Sequence, residues 1–208
     1  MMLQTNRGNA VSRSSEFIRS FIAIELPDEA RKGLAGLRRE LQREEHRFVK
    51  WVDPTGIHLT LKFLGDVPSS RIGEIAASMA AVTQGIPVFH LEIARLGAFP
   101  NLRQPRILWV GIEGEVDRLV ELQQSIDATL AALGFAREER PFVPHLTLAR
   151  IRQEASPMQR RSFGELATST GFTDRYHMKA EAVSLMRSQL TPSGAIYTRL
   201  AAARMTDP

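Results

Sequence analysis

The sequence predicts an α+β fold arranged as two similar lobes, and three observations carry that prediction. Apolar residues alternate with a period of two in some stretches and recur every three or four residues in others, so strands and helices are both present. The two kinds of stretch do not alternate one to one, as a doubly wound parallel sheet would require, which favours α+β. A tetrapeptide, His-Leu-Thr-Leu, occurs at 58–61 and again at 145–148. The offset of 87 residues (145 − 58) is close to half the chain, and each copy lies in a strand-like context.

The elements follow in order. Residues 1 to about 15 are small, polar and aperiodic, and are expected to form a disordered tail before a single bilobal body over 16–201, with 202–208 as a second tail. Phe17–Leu26 is an apolar strand, and Pro27-Asp28 opens a helix of about 15 residues with Leu34, Leu37 and Leu41 on one face. A short strand at Phe48–Val52 ends at the turn signal Asp53-Pro54, and the strand His58–Gly65 follows. A helix over Ser69–Thr83 turns Ile72, Ile75, Ala76 and Met79 to one side. Strands at Val88–Leu96 and Ile107–Ile112 flank an irregular loop, Gly97–Pro105. The longest helix, Glu115–Leu133, buries Val116, Leu119, Val120, Ile126, Leu130 and Leu133 and stops at Gly134. The strand His145–Ile151, an arginine-rich stretch with one short helix, and strands at Met178–Arg187 and Ala195–Leu200 complete the chain. The last two are joined by Thr191-Pro192-Ser193-Gly194.

Composition narrows the function. A chain of 208 residues, 43% hydrophobic and 24% charged, has the balance of an ordinary globule that can bury a core. No apolar run approaches the roughly 20 residues that span a bilayer, and the first residues lack the apolar segment of a secretory signal. There is no cysteine, so disulfides, thiolate nucleophiles and iron–sulfur clusters are excluded and a cytoplasmic location is expected. A formal net charge of +4 is compatible with a phosphate-bearing partner and does not by itself select one.

The repeated tetrapeptide carries the chemistry. Side chains alternate along a strand, so His58 and Thr60 share one face while Leu59 and Leu61 share the other, and His145, Thr147, Leu146 and Leu148 sort the same way. If the leucines pack into two lobes, both His/Thr pairs line whatever lies between. A lone His-x-Thr is ordinarily a rim histidine and a strand-loving threonine. Two copies drawing on two of only five histidines are harder to dismiss. Histidine gives and takes protons near neutral pH, so two of them can run an in-line displacement at phosphorus, one deprotonating water and one protonating the leaving oxygen. Threonine hydroxyls can steady the non-bridging oxygens. A metal site would want a third ligand or clustered carboxylates in register, and Asp66 and Glu154 lie beyond the strand ends. No metal and no cofactor are expected.

The paired motifs resemble the twin His-x-Thr-x signature of the two-histidine phosphoesterase superfamily, and more narrowly the RNA 2′,3′-cyclic phosphodiesterases, also known as 2′-5′ RNA ligases. Further stretches fall in the family's order: Phe21-Ile22-Ala23-Ile24, Val49-Lys50-Trp51-Val52, Lys62-Phe63-Leu64-Gly65, Gly97-Ala98-Phe99-Pro100, Leu108-Trp109-Val110-Gly111, Arg140-Pro141-Phe142 and Ser188-Gln189-Leu190. The resemblance covers about residues 17–200. It implies a pseudo-symmetric fold with two antiparallel sheets flanking a central cleft and helices outside. It also implies opening of a 2′,3′-cyclic phosphate at an RNA end, tRNA fragments included, to leave a 2′-phosphate. His58 would be the proton donor and His145 the proton acceptor, with Thr60 and Thr147 on the phosphate. No membrane and no obligate protein partner are implied.

Neighbouring residues are weaker candidates. Arg150 is expected on the phosphate, although strict alternation puts it on the leucine face, so a twist must swing it inward. Lys62 has the parity of His58 and Thr60 and is a candidate substrate contact. Phe63 and Phe142 are both candidates for stacking on a base, with core packing favoured for Phe63. Arg137, Arg140, Arg150, Arg152, Arg160 and Arg161 form either a solvated surface or a path for an RNA backbone. The rival readings are an RNA-end-binding module without hydrolysis, a 2′-5′ ligase, and a phosphodiesterase for small cyclic nucleotides.

Overall fold

The computed structural model describes residues 16–44, 46–192 and 194–206. Among the described residues, nine strands form two antiparallel sheets. The first has the order β3-β1-β8-β9, from β1 (Phe17–Glu25), β3 (His58–Pro68), β8 (Ala182–Thr191) and β9 (Gly194–Arg204). The second has the order β2-β6-β5-β4-β7, from β2 (Val49–Trp51), β4 (Phe89–Phe99), β5 (Ile107–Gly114), β6 (His145–Ile151) and β7 (Tyr176–Ala180). The signature strands β3 and β6 belong to different sheets, are not hydrogen-bonded to each other, and approach within 8 Å between Cα atoms. The two sheets therefore meet along the strands that carry the repeat.

Helices cover the outer faces. α1 (Asp28–Leu41) buries Ala30, Leu34, Leu37 and Leu41 and lies near β7, with α4 (Pro157–Thr170) beside it. α2 (Ile72–Thr83) packs on β8 and β9, and α3 (Val116–Ala132) packs on α2 and β3. On α3 the buried stripe is Leu119, Leu122, Ile126 and Leu130, each at most 1% exposed. Each such side chain contributes about 1.5–3 kcal/mol of burial free energy. α4 starts with Pro157 at its first position and a reciprocal capping box between Ser156 and Gln159. Gly164 on α4 lies against the loop after β4, where a Cβ would sit 1.7 Å from the Leu102 carbonyl oxygen. Only glycine lets the helix seat that loop beside β6.

Several expectations need correction. The expected strand Met178–Arg187 is two strands in different sheets, divided at Glu181. β4 runs on to Phe99, through the first third of the expected loop. The C-terminal tail expected from residue 202 is instead the end of β9, with Ala203 and Met205 buried and Thr206 bridged to Pro87. The expected N-terminal tail, 1–15, lies outside the described residues.

The largest difference lies inside the two signature strands. β1 pairs Ala23 with Thr60 and Ile22 with Lys62, so Leu61 is an extra residue. β5 pairs Trp109 with Thr147 and Leu108 with Ala149, so Leu148 is the extra residue in β6. A bulge of one residue inverts the alternation beyond it. Both strands are inverted at the same place, just after the motif threonine.

Candidate active site

Each signature histidine opens its strand and is held in the same way. Before β3, Asp53 accepts hydrogen bonds from the backbone N–H and the hydroxyl of Thr55 and caps a 3-10 turn, Pro54–Gly56. That turn directs the Gly56 carbonyl to within 2.7 Å of His58 Nδ1. Before β6, the Val143 carbonyl lies 2.7 Å from His145 Nδ1. A carbonyl can only accept, so Nδ1 carries the proton in both rings and Nε2 is left for chemistry. Neutral, such an Nε2 accepts a proton; protonated, it donates one.

Aromatic side chains fix the ring planes. Phe21 stacks on His58 at 4.4 Å between centroids, and Tyr197 meets the same ring edge-on at 5.0 Å. Phe99 meets His145 edge-on at 5.0 Å, with Trp109 at 6.4 Å. Trp109 is itself seated over Gly97, where a Cβ would come within 2.2 Å of the indole. Thr60 and Thr147 are half-buried, two residues along from their histidines and on the same faces.

Burial between the aromatic rings disfavours the imidazolium and lowers the pKa of His58 below an ordinary histidine's, against the opposing effects of the Gly56 hydrogen bond and the Glu25 carboxylate. Glu25 is the cross-strand partner of His58. Burial would raise its carboxyl, but hydrogen bonds from Ser184 and Arg199 and the nearby arginine charges outweigh that and hold it low and ionised. Tyr197 is pushed up by burial, and the charge of Arg150 opposes that shift. The Arg150 side chain, borne on β6 of one sheet, thus acts on the ring that closes over His58 in the other.

The bulges decide which neighbours join the histidines. Beyond Leu148 the inverted alternation buries Ala149 and exposes Arg150 on the side of His145 and Thr147, so a register break supplies the swing expected of it. Beyond Leu61 the same inversion moves Lys62 off the face of His58. Lys62 is buried, donating to Asp127 Oδ1 on α3 at 2.5 Å and to the Ala136 carbonyl at 2.7 Å. The expectation that Lys62 contacts substrate is therefore corrected, and so is the expected core role of Phe63, which is 66% exposed. Phe142 is half-buried and packs on the main core. Among the arginines, Arg160 donates to the carbonyls of Ala155, Pro105, Arg152 and Gln153, and Arg161 and Arg152 pair with Glu165 and Glu154. Sequence reasoning missed Phe21, Phe99, Trp109 and Tyr197 as ring supports. The first three lie in stretches singled out by resemblance, while Tyr197 had no signal beyond being one of two tyrosines.

Comparison with known proteins agrees with this duplicated geometry. The family model described as LigT-like phosphoesterase matches twice, over residues 24–109 and 110–197, one match for each signature histidine. The chain belongs to the LigT-like phosphoesterase family. An RNA 2′,3′-cyclic phosphodiesterase of Methanothermobacter thermautotrophicus is 34% identical over 90% of this chain and 99% of that protein. A protein of the same description from Thermotoga maritima is 31% identical over 86% of this chain and 91% of its own length. The crystal structure of E. coli LigT with 3′-AMP superposes with a TM-score of 0.73 at 25% identity, covering 92% of this chain and all of that one (100%). As in these relatives, the fold is α+β with two antiparallel sheets. Among the described residues no helix is long and apolar enough to cross a membrane, and no three His, Asp or Glu side chains cluster as a metal site would require.

Proposed function

We propose that this phosphoesterase hydrolyses 2′,3′-cyclic phosphate ends of RNA to 2′-phosphates, using His58 and His145 as its proton donor and acceptor and no metal. The observation that carries the reading is the matched tautomer of the two imidazoles. Each Nδ1 is committed to a carbonyl two residues earlier, which leaves Nε2 as the nitrogen that can give or take a proton in each ring.

The step balances simply. Neutral His145 takes a proton from water at Nε2 as the water oxygen bonds to phosphorus. The bond from phosphorus to O3′ breaks, and His58, entering as imidazolium, gives its Nε2 proton to O3′. The phosphate remains on O2′, and the two histidines have exchanged protonation states, to be reset through solvent. Thr60 and Thr147 donate hydrogen bonds to the non-bridging oxygens, and Arg150 balances their charge. The anion itself raises the pKa of His58 and offsets the lowering by burial. Acid–base catalysis by each histidine is worth about 10²- to 10⁴-fold. The family relationship to cyclic phosphodiesterases supports this substrate class.

The test is incubation of a short RNA ending in a 2′,3′-cyclic phosphate with excess EDTA, resolving 2′- from 3′-phosphate products. The reading requires turnover to the 2′-phosphate alone. Dependence on a divalent cation, or 3′-phosphate as the product, contradicts it.

A further inference from the structure

We infer that Lys50 holds the phosphodiester on the 5′ side of the terminal nucleoside, a group that an RNA chain has and a single cyclic nucleotide lacks. The inference rests on the substrate class proposed above. Lys50 lies in β2, directly opposite Arg150 of β6. Opposed residues on neighbouring antiparallel strands share a face, and the register break at Leu148 makes that the face of His145 and Thr147. The alternation on β2 agrees with this placement. Val49 is buried, Trp51 packs on the core, and Lys50 between them is exposed.

Like charges directly opposite each other on paired strands are destabilising. The rest of the row gives Lys50 and Arg150 no relief, because it continues from Arg150 to Ile107 on β5 and Phe99 on β4. Among the described residues no carboxylate pairs with either side chain. An anion from outside the chain is the complement that such a pair lacks. The backbone that presents Lys50 is well held. The Val52 N–H donates to the Leu148 carbonyl at 2.9 Å, the Arg152 N–H to the Phe48 carbonyl at 2.8 Å, and the Arg38 guanidinium to the Val52 carbonyl at 3.1 Å. Lys50 stands two strand positions and one strand spacing from Thr147, roughly 8 Å between Cα atoms. With Thr147 on the reacting phosphate and Arg150 between, the Lys50 ammonium falls to the next phosphate along the chain.

The experiment compares wild type with Lys50→Met and Lys50→Arg on two dinucleotides ending in a 2′-phosphate. One has its natural linkage, and the other has that linkage made neutral as a methylphosphonate. Equilibrium binding is measured over a range of salt, alongside hydrolysis of the matching cyclic phosphates. Wild type should bind the charged dinucleotide about 2- to 5-fold more tightly, the range of an exposed ion pair. Its slope of log affinity against log salt should be steeper for that ligand by about 0.7. Lys50→Met should remove most of both differences, and Lys50→Arg should keep them. Equal binding of the two dinucleotides by wild type overturns the proposal, whatever turnover does. Both differences intact in Lys50→Met also overturn it, because another cation would then hold the linkage. Binding that depends on the linkage charge and on Lys50, without hydrolysis of either cyclic phosphate, upholds the proposal and counts against the catalytic reading instead.

Discussion

Lys62 and Asp127 give an asymmetric stability prediction. The Lys62 side chain is 3% exposed and that of Asp127 13%, and the ammonium donates to Asp127 and to the Ala136 carbonyl. Asp127→Ala leaves a buried ammonium with one neutral acceptor, which should destabilise by about 3–5 kcal/mol. Lys62→Met keeps an apolar stem of similar length in place. It leaves Asp127 the nearer to solvent, still accepting from the Glu138 N–H, and should cost about 1–2 kcal/mol. With no buried charge remaining, the double variant should be more stable than Asp127→Ala alone. The carboxyl of Asp127 would rise with burial, but Lys62, the Glu138 N–H and Arg137 hold it below the usual carboxylate range. A depressed pKa in the folded state means that the pair's contribution is present above the ordinary carboxylate range. It is lost as pH falls through the folded value. Urea unfolding of the four proteins at neutral and acidic pH measures both effects. A double variant as unstable as the sum of the singles, or Lys62→Met costing more than Asp127→Ala, would refute the reasoning.

Two further predictions concern the site. Glu25→Gln removes a charge that favours protonated His58, so the donor should lose its proton at lower pH and the alkaline limb of kcat/KM should move acidward; an unmoved limb would show that Glu25 does not tune it. Arg150→Met should weaken RNA binding and reduce the slope of log affinity against log salt by about 0.7; an unchanged slope would place Arg150 away from the phosphates.

Much of this was legible in the sequence because period and spacing report local structure. The leucines of the repeat, Leu119, Ile126 and Leu130 of the stripe on α3, and the outward His/Thr pairs follow from strand and helix geometry alone, whereas Leu122 is buried in place of the expected Val116, Val120 and Leu133, which are half-buried. The failures at the site share one cause. A bulge leaves no mark in composition, since Leu61 and Leu148 look like any inward leucine, yet each inverts everything after it. Strict alternation therefore put Lys62 in the cleft and Phe63 in the core, when the register forces the reverse. The division at Glu181 was hidden for a related reason. Two strands joined through a single residue read as one apolar run, and only pairing partners from different sheets separate them. The aromatic clamps were also out of reach, because Phe21 and Tyr197 lie far apart in sequence and meet only across β1, β8 and β9.

The central claim is that His58 and His145 together move the protons. Single-turnover hydrolysis of an RNA 2′,3′-cyclic phosphate by His58→Gln, His145→Gln and the double variant tests it most directly, with folding checked by circular dichroism. Each single change should slow the step by about 10²- to 10⁴-fold. The double variant should be little slower than the worse single, because the two act as one unit. Either single variant turning over within threefold of wild type would contradict the account.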